Sequence, residues 1–260
     1  MNIRKYGNKP YKIAVVHGGP GAAGSVKPVC EELSNVCGVL EPLQTEMSVD
    51  GQLEELKKVL EENTEEPVIL IGHSWGAMLI YMFAAKYSHL VKKIILISSG
   101  SLEEKYYEDL CKNREERLTA EERIELNRLQ KIFSDPGNED MNKVFARFGA
   151  LMEKLDSYEP MEIDSDESLP SYEIFTKVWS QAHAMRKSGE MYRMGKDIKC
   201  EVVAIHGDYD SHPAIGIKDS LEKIISNFKF YELKKCGHTP WAEVYAKDEF
   251  YRILKAEILK

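Results

Sequence analysis

The chain has 260 residues, 43% of them hydrophobic and 30% charged, which suits one large globular domain or a domain carrying an insertion. Its formal net charge is −8 without basic clusters, so nucleic acid is excluded as the expected partner, because phosphate neutralisation supplies most of that affinity. No apolar stretch reaches the ~20 residues of a membrane span, and the start MNIRKYGNKPYKIAVVHGG has no apolar signal core.

The five cysteines (Cys30, Cys37, Cys111, Cys200, Cys236) are scattered and include no C-x-x-C pair. Reduced thiols and a cytoplasmic location are the expectation, with no membrane partner. Cys236 stands two residues before a histidine and reads first as a small apolar filler.

In chain order, YKIAVV (11–16) predicts a buried strand that runs into the glycine loop His17-Gly18-Gly19-Pro20-Gly21. Residues 24–35 read as helix and 36–43 as a weaker strand stopped by Pro42. Residues 48–63 form an amphipathic pattern, with Ser48 as N-cap and Leu53, Leu56, Val59 and Leu60 on one face. PVILIG (67–72) predicts a strand, 75–87 a helix, and VKKIILISS (91–99) another strand. This alternation predicts right-handed βαβ units and a mostly parallel, doubly wound α/β sheet.

The rhythm stops at residues 101–197, which hold 15 Lys and Arg against 22 Asp and Glu, a net of −7. The pattern there is helical, with a capping box expected at Thr119 and Glu122 and breaks at 134–140 and 156–170, the second acidic enough to suggest mobility. Strand and helix then resume: 200–207 strand, 214–225 helix, 228–233 strand, 240–260 helix. The organisation expected is a core domain of residues 1–100 and 198–260, with 101–197 inserted as a helical cap at the carboxyl edge of the sheet, where ligands bind in open sheets.

GHSWG (72–76) puts Ser74 between two glycines where a strand turns directly into a helix. That spacing in that context predicts a nucleophile elbow, with the serine at the tip of a strained turn near a helix N-terminus. A serine hydroxyl needs a base to take its proton, and a carboxylate to orient that base. His238, in the loop after the last strand, supplies the base. Asp210 or Asp208, both after the strand at 200–207, supplies the acid, and loop position favours Asp210. The backbone N–H groups of Gly19 and Trp75 are the expected oxyanion donors.

His17 and His73 read as structural, each beside a glycine of these motifs. His206, Asp208, Asp210 and His212 alternate, but the strand ends at Gly207, so they share no face and no metal site is expected. His212 and the cap residue Trp179 are candidate substrate contacts, His212 at the entrance. The lid methionines, with Phe145, Phe148 and Tyr172, read mainly as lid core.

HGGPG, GHSWG, HGDYD and CGH in this order resemble the α/β-hydrolase superfamily with a helical cap, over about residues 11–100 and 198–260. HGGPG and the tryptophan after the serine further resemble the proline iminopeptidase branch. That branch carries a D-Q-R-G-x-G-x-S-like run where this chain has LEPLQTEMSVDG, and a Trp-Glu pair where this chain has Trp179-Ser180. The expected function is therefore a serine hydrolase acting on a small ester, amide or short peptide without metal or organic cofactor. An iminopeptidase, or a ligand-binding receptor with little turnover, stands as the alternative. Oligomeric state is left open by the sequence.

Overall fold

In the computed structural model, which describes residues 2–163 and 170–260, the strands are β1 (Ile3–Tyr6), β2 (Tyr11–Val16), β3 (Gly38–Pro42), β4 (Val68–His73), β5 (Val91–Ile97), β6 (Glu201–Gly207) and β7 (Phe228–Leu233). They form one sheet in the order β1-β3-β2-β4-β5-β6-β7. Strand β1 runs antiparallel to β3 and the other neighbours are parallel. The helices are α1 (Lys27–Leu33), α2 (Val49–Asn63), α3 (Trp75–Lys86), α4 (Tyr107–Arg117), α5 (Ala120–Ser134), α6 (Met141–Asp156), α7 (Tyr172–Lys187), α8 (Glu190–Arg193), α9 (Ala214–Glu222) and α10 (Lys247–Ile258).

The central strands are continuous apolar runs because both sheet faces are covered. Ile13 and Val15 of β2, Ile69 and Ile71 of β4, and Val203 and Ile205 of β6 pack against α1 and α10. The intervening Ala14, Val16, Leu70, Val202 and Ala204 pack against α2, α3 and α9. Each valine, leucine or isoleucine among them contributes about 1.5–3 kcal/mol when fully buried.

Helix α3 is apolar on every side, and Trp75 to Ala84 are all buried. A helix of that composition must be covered all round. The sheet covers one side, and the segment after α7 covers another, where Tyr81 Oη donates to the Tyr192 carbonyl at 2.9 Å. Helices α4 to α8 all lie between β5 and β6.

The Ser48 cap is present, its hydroxyl accepting the Gly51 N–H at 3.0 Å, and Thr119 and Glu122 form the reciprocal capping box. Three expectations shift. Strand β1 went unread because Ile3-Arg4-Lys5-Tyr6 is short and half charged, the usual make-up of an edge strand. Helix α1 starts at Lys27 rather than 24, with Pro28 in its first turn. The closing helix starts at Lys247 rather than 240, because Pro240–Ala242 forms a 3₁₀ turn. The segment between them joins the chain after α6: Val244 N–H donates to the Glu159 carbonyl at 3.0 Å and Met161 N–H to the Ala242 carbonyl at 2.7 Å. Of the acidic break at 156–170, residues 164–169 lie outside the described residues.

Candidate active site

Strand β4 ends at His73 and α3 begins at Trp75, so Ser74 alone makes the turn. It does so at φ 54° and ψ −113°, a conformation that costs a non-glycine residue of order 1–3 kcal/mol. The fold holds it there: Ser74 N–H donates to the Ile97 carbonyl of β5 at 2.9 Å, and its own carbonyl accepts the Ala77 N–H at 3.1 Å. The flanking glycines are required by contact. A Cβ on Gly72 would stand 2.4 Å from the Gly76 carbonyl oxygen, and one on Gly76 would stand 2.3 Å from the Val16 carbonyl oxygen.

The glycine loop after β2 passes beside this turn. A Cβ on Gly18 would lie 2.7 Å from His73 Nδ1 and 3.4 Å from Ser74 Cβ, and Gly19 has φ 43°. Gly21, at φ 88°, accepts the Ser171 N–H at 3.0 Å, which ties the loop to the N-cap of α7. His17 bonds within this loop: Nδ1 donates to the Gly18 carbonyl at 2.9 Å and Nε2 accepts the Gln44 N–H at 3.3 Å. On the helix side, the Trp75 backbone N–H lies in the first turn of α3, where no intrahelical acceptor exists. Its indole is buried and donates to Gln52 Oε1 at 2.9 Å.

The loops after β6 and β7 bring Asp210 and His238 together. Asp210 Oδ2 lies 2.7 Å from His238 Nδ1, with the carboxylate fully buried and the imidazole 14% exposed. Asp208 faces elsewhere, accepting the Cys236 N–H at 3.3 Å and pairing with Lys234 at 3.8 Å. His238 sits beside the residue preceding the serine: His73 Nε2 donates to the His238 carbonyl at 2.9 Å, and the two ring centroids are 4.8 Å apart.

Electrostatics follow the burial. Burial alone would raise the Asp210 carboxyl, but the imidazoles of His238, His212 and His206 overcome it and hold the carboxyl well below the usual range. Burial opposes charge on His238, yet the Asp210 charge and hydrogen bond outweigh it and raise that imidazole above its ordinary value. For His73, burial and the neighbouring His238 imidazole outweigh the Asp210 charge and drive it down to about 3, so it is neutral.

The His212 side chain is 12% exposed, and its Nδ1 lies 3.0 Å from Asp210 Oδ1. Trp179 meets Trp75 edge to face at 6.2 Å and stacks on Phe175 at 6.1 Å. Phe145 is 4.4 Å from Phe175 and 5.9 Å from Tyr172, so an aromatic series runs from α6 to the residue beside Ser74.

Three supporting residues carried no local sequence signal. Buried Glu243 accepts the N–H groups of Gly237, Tyr158 and Glu159, each at 2.8 Å. The Asp156 carbonyl accepts the His238 N–H at 2.9 Å. Arg114 Nε donates to Asp156 Oδ1 at 2.9 Å, and that contact overcomes burial to hold the Asp156 carboxyl low.

One set of side chains could also hold a cation. Ligand atoms of Asp210, His212 and His238 all lie within 4.8 Å of one another. They already satisfy one another through hydrogen bonds. A cavity of about 850 Å³ opens at the opposite, amino end of the sheet, lined by Tyr11, Ile13, Ile69 and Lys92 among others, away from Ser74.

The chain belongs to the alpha/beta hydrolase fold family, whose model matches residues 19–241. Similar solved structures include VinJ, with a TM-score of 0.70 at 14% identity over 98% of this chain and 93% of that one. A putative lipase from Acinetobacter baumannii AYE has a TM-score of 0.67 at 17% identity, covering 99% and 88%. The meta-cleavage product hydrolase of Pseudomonas fluorescens IP01 has a TM-score of 0.66 at 17% identity, covering 99% and 93%. These likenesses show the fold. No curated protein sequence matches the chain. No helix among the described residues is long and apolar enough to cross a membrane.

Proposed function

We propose that the protein is a serine hydrolase that cleaves a small ester or amide through an acyl-enzyme intermediate. Ser74 Oγ attacks the carbonyl carbon while His238 Nε2 takes the hydroxyl proton. Asp210, bonded to Nδ1, fixes the tautomer and stabilises the imidazolium. The negative charge on the former carbonyl oxygen is met by the Gly19 and Trp75 N–H groups and the amino end of α3. The imidazolium then protonates the leaving group, and a water deprotonated by His238 releases the acid. Every proton moves between groups of this chain, substrate and water.

The observation that carries this reading is Ser74 held at φ 54° at a strand-to-helix turn, with the Asp210–His238 pair at 2.7 Å in the neighbouring loops. Strain of this kind persists where the surroundings enforce it, commonly at active sites. The helices of residues 101–197 serve as a lid. The Gly21–Ser171 bond and the Trp75–Trp179 contact support that role by tying α7 to both sides of the turn. Trp179 and the rings behind it would form an apolar wall for the acyl or leaving group.

Initial rates on p-nitrophenyl esters of increasing acyl length, set against matching arylamides, test the reading. Turnover well above the buffer rate supports it, and buffer-level rates on both series favour a binding protein of the same fold. HGGPG and Trp75 support a narrower reading as a proline iminopeptidase. That reading requires preference for a free amino-terminal proline arylamide over its N-blocked form, and equal rates remove it.

A further inference from the structure

The Asp210 carboxylate is shared between two imidazoles. Oδ2 lies 2.7 Å from His238 Nδ1, while Oδ1 lies 3.0 Å from His212 Nδ1 and also accepts the His212 backbone N–H at 2.9 Å. The His212 ring lies over the His238 ring, with centroids 4.6 Å apart and planes 23° apart. His206 closes the arrangement from β6: its Nε2 donates to the His212 carbonyl at 2.8 Å and stands 3.4 Å from Asp210 Oδ2. The loop itself is clamped from α4, where Asn113 donates to the Ser211 carbonyl at 3.0 Å and Arg117 to the Ser211 hydroxyl at 2.7 Å.

A carboxylate with one imidazole partner can rotate and offer either oxygen. Asp210 has no such freedom, because His212 occupies Oδ1 twice. We propose that His212 is a positioning residue for His238: it reserves Asp210 Oδ2 for the base and fixes the plane of the base's ring by stacking on it. This rests on reading Ser74, Asp210 and His238 as the reacting set.

The arrangement has an electrostatic consequence. Donation into Oδ1 draws charge from the carboxylate, so Asp210 raises the proton affinity of His238 less than an unshared aspartate would. Burial lowers the His212 imidazole from its ordinary value despite Asp210, so it donates as the neutral ring and adds no positive charge. The other titratable or charged groups around the pair are His73 from the end of β4, His206 from β6, Arg114 and Arg117 from α4, Asp156 from α6, and Glu243 behind Gly237.

Two variants separate the hydrogen bond from the ring. In His212→Asn the side-chain amide can take the place of Nδ1 without the stack; in His212→Phe the ring remains without the donor. The readouts are the titration midpoint of the His238 imidazole by nitrogen NMR and the pH–rate profile on p-nitrophenyl acetate. His212→Phe is expected to raise the midpoint by ~0.5 pH unit or more, since the Asp210 carboxylate then loses its side-chain donor, keeps only the backbone one on Oδ1, and acts more strongly on His238. Its kcat should fall about tenfold to a hundredfold with KM little changed, as for a misplaced catalytic group. His212→Asn should keep the midpoint near that of the unaltered protein.

Should the Phe variant fail to fold, the unaltered protein still decides, because His212 must show the neutral Nδ1–H tautomer throughout the His238 titration. Unchanged midpoints in both variants, equal shifts in both, or a His212 that titrates with His238 would each overturn the proposal. Ser74→Ala in the same ester assay keeps the two claims apart. Full activity in that variant removes the triad reading, whereas its inactivity beside unshifted His212 variants removes only the positioning role.

Discussion

The His238 backbone N–H donates to the Asp156 carbonyl at 2.9 Å, so the last residue of α6 anchors the loop that follows β7. Asp156 is held in turn by Arg114 of α4. The helices between β5 and β6 are therefore part of what positions the candidate base. Arg114→Ala leaves the Asp156 carboxylate buried without its cation, and breaking a buried pair in this way costs about 3–5 kcal/mol. Urea unfolding should show a loss of that order, and an unchanged midpoint would mean that water replaces the guanidinium.

The elbow glycines should tolerate no side chain. A Cβ on Gly76 would stand 2.3 Å from the Val16 carbonyl oxygen of β2, a backbone atom that cannot swing aside. Gly76→Ala is expected to destabilise the fold by about 2 kcal/mol or more, seen as a lower thermal midpoint. Gly149→Ala is the control, since nothing lies within 4 Å of a Cβ there.

The two aspartates of HGDYD should separate sharply. Asp210→Asn keeps the shape but favours the wrong imidazole tautomer, a change that cost about ten-thousand-fold in kcat in a well-studied triad. Asp208→Asn keeps an Oδ1 acceptor for the Cys236 N–H and removes only the charge that pairs with Lys234, and should change kcat less than about threefold. Steady-state rates on one chromogenic ester distinguish them.

The pH profile has a definite sign. The base works only as the neutral imidazole, and Asp210 raises its affinity for the proton. The acid limb of kcat/KM should therefore fall at a pH above the ordinary imidazole value of 6.5. Stability should fall at acid pH as well. Asp210 and Asp156 have carboxyl values below those of the unfolded chain. The stability they contribute is present above the unfolded carboxyl value and is lost as pH falls through the folded ones. Thermal midpoints measured downward from neutrality check this.

Local features were legible in the sequence and distant ones were not. Ser74 stood out because both crowding contacts that demand glycine lie within the turn or on the strand beside it. The capping residues Ser48 and Thr119 were readable because a cap reaches only three residues ahead. The contact between His212 and Asp210 was not readable because a two-residue spacing does not reveal on which side a loop closes. Glu243 and Tyr158 are 85 positions apart, and Arg114 and Asp156 are 42 apart. No periodicity or spacing rule connects such pairs, and only the packing of α4 and α6 against the β6 and β7 loops brings them together.

The most direct test of the central claim is covalent. Native protein treated with a fluorophosphonate should gain one adduct, mapped by peptide mass spectrometry to Ser74, and Ser74→Ala should gain none. Labelling of both proteins to the same extent, or an adduct on another residue, would contradict the assignment of Ser74 as the nucleophile.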